Sequence, residues 1–426
     1  MSVNSGPKTI TKGLVALYEP KRRKSYKGEP TTNELLGLSW NGGGVAQTDF
    51  TKSNSLVTNE SDKYRGYKTY LWAPGLSKNA YLDGTADLSN SETSTVWTFS
   101  CYLRREDGEP IPSIAMYMYF PSTDGNAPAT IEDVGNGWYR CWRTRTGTSA
   151  LIGLVGFTNF ASNVKYFISG AQLEKKAYPT IYTPIGTPRG STVATGGGLR
   201  NLISDSGHGY FVGDVTQNSD GGLNSGGISD FIEFEDSDIF EFQPTEPFTL
   251  VFWGEFPSYS AATGVILGNM DETDGVTHSG WDIYTTTADQ LSFHFISSWS
   301  GNAFKIQTLF DTPAYSGSQV CIVVTYDGSC PTTEQGCLDS LNIYVNGVVH
   351  DTNKATAIST NGFNTSSETI TYTSAQRARV GGRWKVSNAH LYPGSIKTDR
   401  IEVYNVELSA RDVKRSFNNQ RKRFGL

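Results

Sequence analysis

The stretch GAQLEKKAYPTIYTP, from Gly170 to Pro184, decides how this chain folds. It completes the run VKYFISGAQLE, in which Val164, Tyr166, Ile168 and Gly170 fall on one face of an extended chain. Alternation with a period of two is the mark of a strand with one buried face. Gly170 and Ala171 are small enough to let another backbone or ring come close. Pro179 and Pro184 then end strand pairing, because proline has no N–H to give to a ladder. The stretch holds no Ser-His pair, no Cys-x-x-Cys and no phosphate-cradling glycine loop. It reads as a closing strand and its exit, which is architecture and not a reaction centre.

The same alternation recurs along the chain. TFSCYLR puts Phe99, Cys101 and Leu103 on one face, and IAMYMYF does so with Ile114, Met116, Met118 and Phe120. FTLVFWGEF, DQLSFHFIS, QVCIVVTY and LNIYVNGVVH repeat it farther on. Asn346-Gly347 marks a type I′ hairpin, whose two central residues need positive φ. In FTLVFWGEF, Phe252 and Trp253 point to opposite faces, so one of them faces outward or toward a neighbouring domain. The 45 glycines, 12% aromatic and 18% charged residues favour turns and strands over helices. Antiparallel sheets, each with one apolar face, pack face to face as sandwiches. One helix is expected: Ser409 as N-cap, Asp412 at the third helical position, Val413 and Phe417 on one face, and Gly425 with the basic cluster ending it. The fold class is all-β, with two antiparallel β-sandwich domains and one short C-terminal helix.

A chain of 426 residues exceeds what one core usually serves. The Pro- and Gly-rich region from Thr183 to Asn201 marks the boundary. The expected plan is an N-terminal arm at 1–36, a jelly-roll at 37–188, a Gly-rich linker at 189–200, and a second sandwich at 201–426 that carries the helix. The net charge of −6 says little about a partner. No apolar run of 18 residues exists and the N-terminus lacks a signal-peptide core, so neither membrane insertion nor Sec export is expected. Five cysteines, an odd number, argue for free thiols over a disulfide framework. The spacing from Cys330 to Cys337 lacks the second pair or histidines that zinc would want, although a bridge within that loop stays open.

VWTFSCYLRR, IEDVGNGWYRCW and YFISGAQLEKKAYPTIYTP, taken in order over about residues 40–188, resemble a jelly-roll domain of bacteriophage virion and tail structural proteins, of the concanavalin A-like or carbohydrate-binding-module type. The pattern departs only at Ile185, where the family has threonine. GGISDFIEFEDSDIFEFQPTEPFTLVFW, VVTYDG, LNIYVNGVV, RARVGGRWK and the closing IEVYNVELSARDVKRSFN resemble a laminin-G-like, concanavalin A-like sandwich. GLVALYEPKRRKSYKGEPTTNEL is similar to the usual lead-in of that second sandwich. The resemblance therefore implies that residues 13–36 pack back on the C-terminal half and that the jelly-roll is inserted. It also implies a virion protein of fibre-like or decorating type, assembled in the host cytoplasm. Such a protein contacts other virion proteins, forms a homo-oligomer with the trimer favoured, and can touch host glycans. The alternatives are a carbohydrate-binding or glucan-hydrolysing protein, or a head or neck protein whose basic arm contacts DNA.

Candidate sites are few. Asp236, Asp238 and Glu241 in DSDIFE have the acid spacing of concanavalin A-like glucanases, which need a nucleophile and a general acid about 5–5.5 Å apart. Asp stands here where that motif has Glu, and the acids fall in a turn-rich link. No catalytic residue is assigned and no enzyme is expected. No cofactor is expected either; calcium at a sandwich rim is the alternative, with Asp236 and Asp238 as first ligands and Asp230, Asp271 and Asp274 as other oxygen donors. Trp281, Tyr284, Trp299 and Trp384 are candidate glycan platforms, set against the core role that a sandwich usually gives such rings. Lys21, Arg22, Arg23, Lys24 and Lys27 form a candidate arm for docking an acidic partner. Stacking aromatics are too sparse there for nucleic acid to be the favoured partner. The five histidines lie scattered, with no metal spacing and no nucleophile motif.

Overall fold

A computed structural model of the chain describes residues 9–31, 34, 56–64, 67–72, 84–86, 95–119, 127–146, 153–158, 164–183, 188–218, 220–225, 230–235, 238–255, 264–272, 278–286, 290–298, 302–309, 315, 317–351, 355–356, 362–373, 376–383 and 396–426. They form two compact units, Pro30–Gly190 and Met1–Glu29 together with Ser191–Leu426. Both are built from antiparallel sheets, so the class is all-β sandwich.

In the Pro30–Gly190 unit, a six-stranded sheet runs in the order 56–64, 67–72, 166–174, 96–105, 138–146, 130–135. A four-stranded sheet runs 84–86, 153–158, 115–119, 127–128. Trp97, Phe99, Cys101, Leu103, Tyr166 and Ile168 of the first sheet meet Met116 of the second in one buried cluster. The alternating apolar residues are what fill the space between the layers.

The opening stretch shows why Gln and Glu stand on a core strand. Tyr166–Glu174 lies between the strands Tyr67–Trp72 and Val96–Arg105, with a register shift between Ser169 and Gln172. Gly170 sits in that shift at φ +60°, and a side chain there would meet the Tyr102 ring at 3.1 Å. Beyond the strand the chain folds back over it. Buried Gln172 accepts from the Thr183 N–H at 2.5 Å and donates to Thr180 Oγ1 at 3.1 Å. Buried Glu174 accepts from the Thr180 N–H (2.9 Å), the Thr180 hydroxyl (2.6 Å) and the Thr31 hydroxyl (3.0 Å). Arg189 donates to the Ile181 carbonyl at 2.8 Å and to Thr180 Oγ1 at 2.9 Å, and Arg140 donates to the carbonyls of Pro179 (3.2 Å) and Thr180. Hydrogen bonds to charged groups are worth about 1.5–3 kcal/mol each, so a buried carboxylate with three donors is a strong clamp.

In the other unit, an eight-stranded sheet follows the path 216–217, 223–225, 396–404, 248–255, 319–326, 341–345, 348–349, and Leu14–Tyr18 also pairs with Ile396–Tyr404. A ten-stranded sheet runs 26–28, 198–199, 209–212, 231–234, 379–380, 264–272, 278–286, 290–298, 302–309, 355–356. The N-terminal segment thus gives one strand to each sheet, and the basic run is the turn between them. The candidate docking residues are therefore part of this unit. Lys21 pairs with Asp399 (3.1 Å) and Asp220 (3.6 Å), Arg22 pairs with Glu19 (2.9 Å), and Lys27 is half-buried within a strand. Arg23 and Lys24 stay exposed. The stretch 189–200 is likewise not a bare linker: Val193–Thr195 is a 3-10 turn capped by Thr192, and Gly198–Leu199 pairs with both 26–28 and Gly209.

Two further expectations change. Phe252 and Trp253 are both fully buried, although they point to opposite faces. The chain's own C terminus covers the outer one: Phe417 stacks on the Trp253 ring at 5.6 Å and Phe424 lies 4.8 Å from it. The C-terminal helix Ala410–Gln420 has Ser409 as N-cap, whose Oγ accepts from the Asp412 N–H at 3.2 Å. A second helix, Glu334–Ser340, occupies the region read as a loop, with Thr333 as its N-cap. It buries Cys337; Cys330 and Cys337 are both free thiols. Among the described residues, no helix is long and apolar enough to cross a membrane.

Candidate ligand cleft

DIFEFQP owes its position to its aromatic residues. Phe240 and Phe242 are buried and pack on Trp281 with centroids 6.5 and 5.1 Å away, and Phe242 stacks on Phe248 at 4.3 Å. Polar bonds hold the backbone in place. The Phe240 carbonyl accepts from Trp281 Nε1 (2.8 Å) and Asn269 Nδ2 (3.1 Å), and the Phe242 carbonyl accepts from the Tyr372 hydroxyl (2.7 Å). Gln243 exchanges two bonds with Ile370, at 2.9 and 3.1 Å. With the apolar residues turned inward, the acids of this segment are left at the surface.

There they line an open cleft of about 440 Å³, whose walls are Val15, Asp238, Ile239, Glu241, Phe242, Glu246, Pro247 and Asn405. Asp238, Glu246 and Asn405 are exposed, and Glu241 is half-buried. Burial, and then the charges of Glu241 and Glu246, push the Tyr372 phenol well up, so it stays a proton donor to the backbone beside the cleft. Three carboxylates and one carboxamide over an aliphatic and aromatic floor can accept hydrogen bonds from a polyhydroxylated ligand and pack against its C–H faces.

The other sequence candidates lie elsewhere. Trp281 is fully buried and gives its N–H to Phe240, so it is a core residue and not a platform. Tyr284 is also buried, stacked on His294 at 4.5 Å with the Arg383 guanidinium over its ring at 5.6 Å. Trp299, Trp384, Asp236 and Asp274 lie outside the described residues. Asp238 is exposed at the start of a 3-10 turn, and Asp230 is used by the Asp214 N–H at 2.9 Å. Among the described residues, no three His, Cys, Asp or Glu side chains converge as metal ligands would. Glu246, Val15 and Asn405 were missed. Glu246 carries no spacing signal, and Val15 and Asn405 join the cleft only through the pairing of 14–18 with 396–404.

The histidines hold one surprise. His294 Nδ1 lies 2.8 Å from Asp282 Oδ1, and the other oxygen of Asp282 accepts from Arg383 Nε at 2.5 Å. A carboxylate orienting an imidazole is half of a hydrolytic triad. All three side chains are buried, however, and Arg379 donates to the Arg383 carbonyl at 3.1 Å, tying the group to a second pair, Arg379 and Glu233. Asp282, His294, Arg379 and Glu233 fall in one row across neighbouring strands, with Gly268 between Arg379 and Asp282. The row acts as internal bracing of the ten-stranded sheet.

No known protein family and no curated protein matches the sequence. Among solved structures, the botulinum neurotoxin serotype G binding domain is similar at 16% identity over 52% of this chain and 48% of that one, with a TM-score of 0.36. The serotype C1 binding domain gives 14%, 52% and 49%, with a TM-score of 0.38. The CBM40 of Ruminococcus gnavus IT-sialidase, in a structure bound to α2,3 sialyllactose, gives 18% over 40% of this chain and 82% of that one, with a TM-score of 0.30. The chain spans about half the length of the neurotoxin domains it matches. Similarity at this level assigns no family and transfers no ligand.

Proposed function

We propose that this chain is a non-enzymatic attachment and assembly protein of a tailed-phage particle, and that it binds a glycan in the cleft beside Asp238, Glu241 and Glu246. The virion part of the reading is supported by the resemblance of GNGWYR, GAQLE and YPTIY, and of the terminal strand-helix segment, to phage structural domains. Its partners are then other virion proteins and further copies of itself, with a homotrimer as the favoured state. The glycan part is carried by one observation: three carboxylates and the Asn405 amide meet over an apolar floor in an open cleft of about 440 Å³. A sugar presents both hydroxyl donors and apolar C–H faces, and such a surface satisfies both.

The test is a glycan array followed by titration calorimetry on the best ligand. Dissociation constants from millimolar to micromolar are expected, with no turnover. Asp238→Asn together with Glu246→Gln should weaken binding at least tenfold while leaving the melt unchanged, since both side chains are exposed. Equal affinity in wild type and variant would remove the cleft from the reading. Release of reducing sugar from β-glucans that is lost in Glu241→Gln would replace binding with hydrolysis. Electron cryomicroscopy of purified particles tests the virion assignment separately.

A further inference from the structure

Cys101 and Cys141 come from distant parts of the sequence but stand directly opposite each other. Cys101 lies in the strand Val96–Arg105 and Cys141 in Trp138–Thr146, and the antiparallel register pairs the two residues. Directly opposed residues point to the same side of a sheet, and both side chains do enter the same buried cluster. The Cα separation of such a pair is about 4.5–5.5 Å, inside the range of about 4.4–6.8 Å that disulfides use. Both thiols are free and fully buried.

We propose that Cys101 and Cys141 form a covalent modification site: a cross-strand disulfide that closes when the protein meets a small-molecule disulfide such as oxidised glutathione. In the closed fold the thiols are protected. Burial, and then the neighbouring Cys141, push the Cys101 thiol well up against a smaller opposing effect of Arg140, and burial pushes Cys141 up to about 12. The first step therefore needs a local opening of the strand pair, which lets one thiol lose its proton to solvent. That thiolate attacks a sulfur of oxidised glutathione, forming a mixed disulfide and expelling one glutathione thiolate. The opposed cysteine then loses its proton and attacks the protein sulfur of the mixed disulfide. The second glutathione leaves as its thiolate, and the two expelled thiolates take up the two protons. Two protein thiols are oxidised and one glutathione disulfide is reduced to two thiols. The product closes a loop of about 40 residues and ties together two adjacent inner strands of the six-stranded sheet. If the protein is made in a reducing cytoplasm and then released, a point that rests on the proposed function, the bond forms only after release. The chemistry itself does not depend on that.

The experiment uses the intact chain. One sample is held folded in oxidised glutathione and another is refolded from urea in the same buffer. Both are then alkylated in denaturant and mapped by mass spectrometry. The expected product is a Cys101–Cys141 cross-linked peptide, present at least after refolding, with Cys321 alkylated or singly capped. The melting temperature should rise by roughly 5–10 °C and fall back on reduction. Cys101→Ala should abolish both the cross-link and the reversible rise. The refolded sample removes burial as a barrier. Alkylated or separately glutathionylated Cys101 and Cys141 there would overturn the proposal, as would a cross-link that lowers the melting temperature.

Discussion

Replacing Arg400 by methionine should destabilise the Met1–Glu29 and Ser191–Leu426 unit by about 3–5 kcal/mol. Arg400 is fully buried and donates in three directions: to Glu402 Oε1 at 2.5 Å, to Glu19 Oε2 at 2.7 Å and to Thr9 Oγ1 at 2.7 Å. Methionine keeps most of the stem and removes the charge and every donor. Glu19 would retain Arg22 at 2.9 Å and Arg423. Glu402, also fully buried, would keep the Tyr404 hydroxyl as its donor among the bonds described. A neutral hydrogen bond is worth about 1 kcal/mol, far less than a desolvated carboxylate needs. The cost therefore comes mainly from the charge left behind. Amide hydrogen exchange on the intact protein reads it where it acts. Peptides covering 14–18 and 396–404 should lose protection by about two to nearly four orders of magnitude. Replacing Glu19 and Glu402 by leucine together with Arg400→Met should recover most of the loss, because the partly exposed Arg22 and Arg423 can turn to water. A fall of less than tenfold in the single variant would refute the claim that this cluster holds the N-terminal strand.

Acid should unfold the same unit partly through Asp282. Burial alone would raise its carboxyl, but Arg383 and His294 outweigh burial and hold it down to about 2. A folded value below the unfolded one, about 3.9, gives stability that is present above pH 4 and lost as pH falls toward 2, on the order of 2 kcal/mol. Asp282→Asn should flatten the stability curve between pH 5 and 2, and an unchanged slope in urea titrations at those pH values would contradict the assignment. Gly280→Ala should cost at least about 2 kcal/mol from backbone strain alone, because φ is +114° and the new Cβ would lie 1.9 Å from the Asn269 carbonyl. Gly317→Ala in the same unit, at φ +66° with nothing within 4 Å, serves as the control at about 1–2 kcal/mol. Equal urea midpoints for the two variants would show that the close approach at Gly280 is not needed.

Much of the fold was legible because its signals are local. Phe99, Cys101 and Leu103 alternate along one strand, and Asn346 and Gly347 both take positive φ at their hairpin. Ser409 caps its helix with a side chain three residues from its partner. The site was legible only in part. DSDIFE drew attention to Asp238 and Glu241, but its spacing gave no sign of Glu246 or Asn405 as neighbours. Trp281 and Tyr284 failed as platforms for a physical reason: they lie on opposite faces of the strand His278–Thr286, both faces are covered, and an alternating pattern does not say whether the second face is open.

The amino-acid order alone determined the strand content, the turns, the C-terminal helix and the lack of long apolar spans, since each depends on residues within a few positions of one another. Only the tertiary structure decided which charges go inside. Glu19 meets Arg400 across 381 positions, and Arg383 meets Asp282 across 101. A buried charge is tolerable only when an opposite charge and donors are brought to it, and strand register, not sequence proximity, brings them. Register likewise set Cys101 against Cys141, and the packing of the C-terminal helix laid Phe417 on Trp253's outer face.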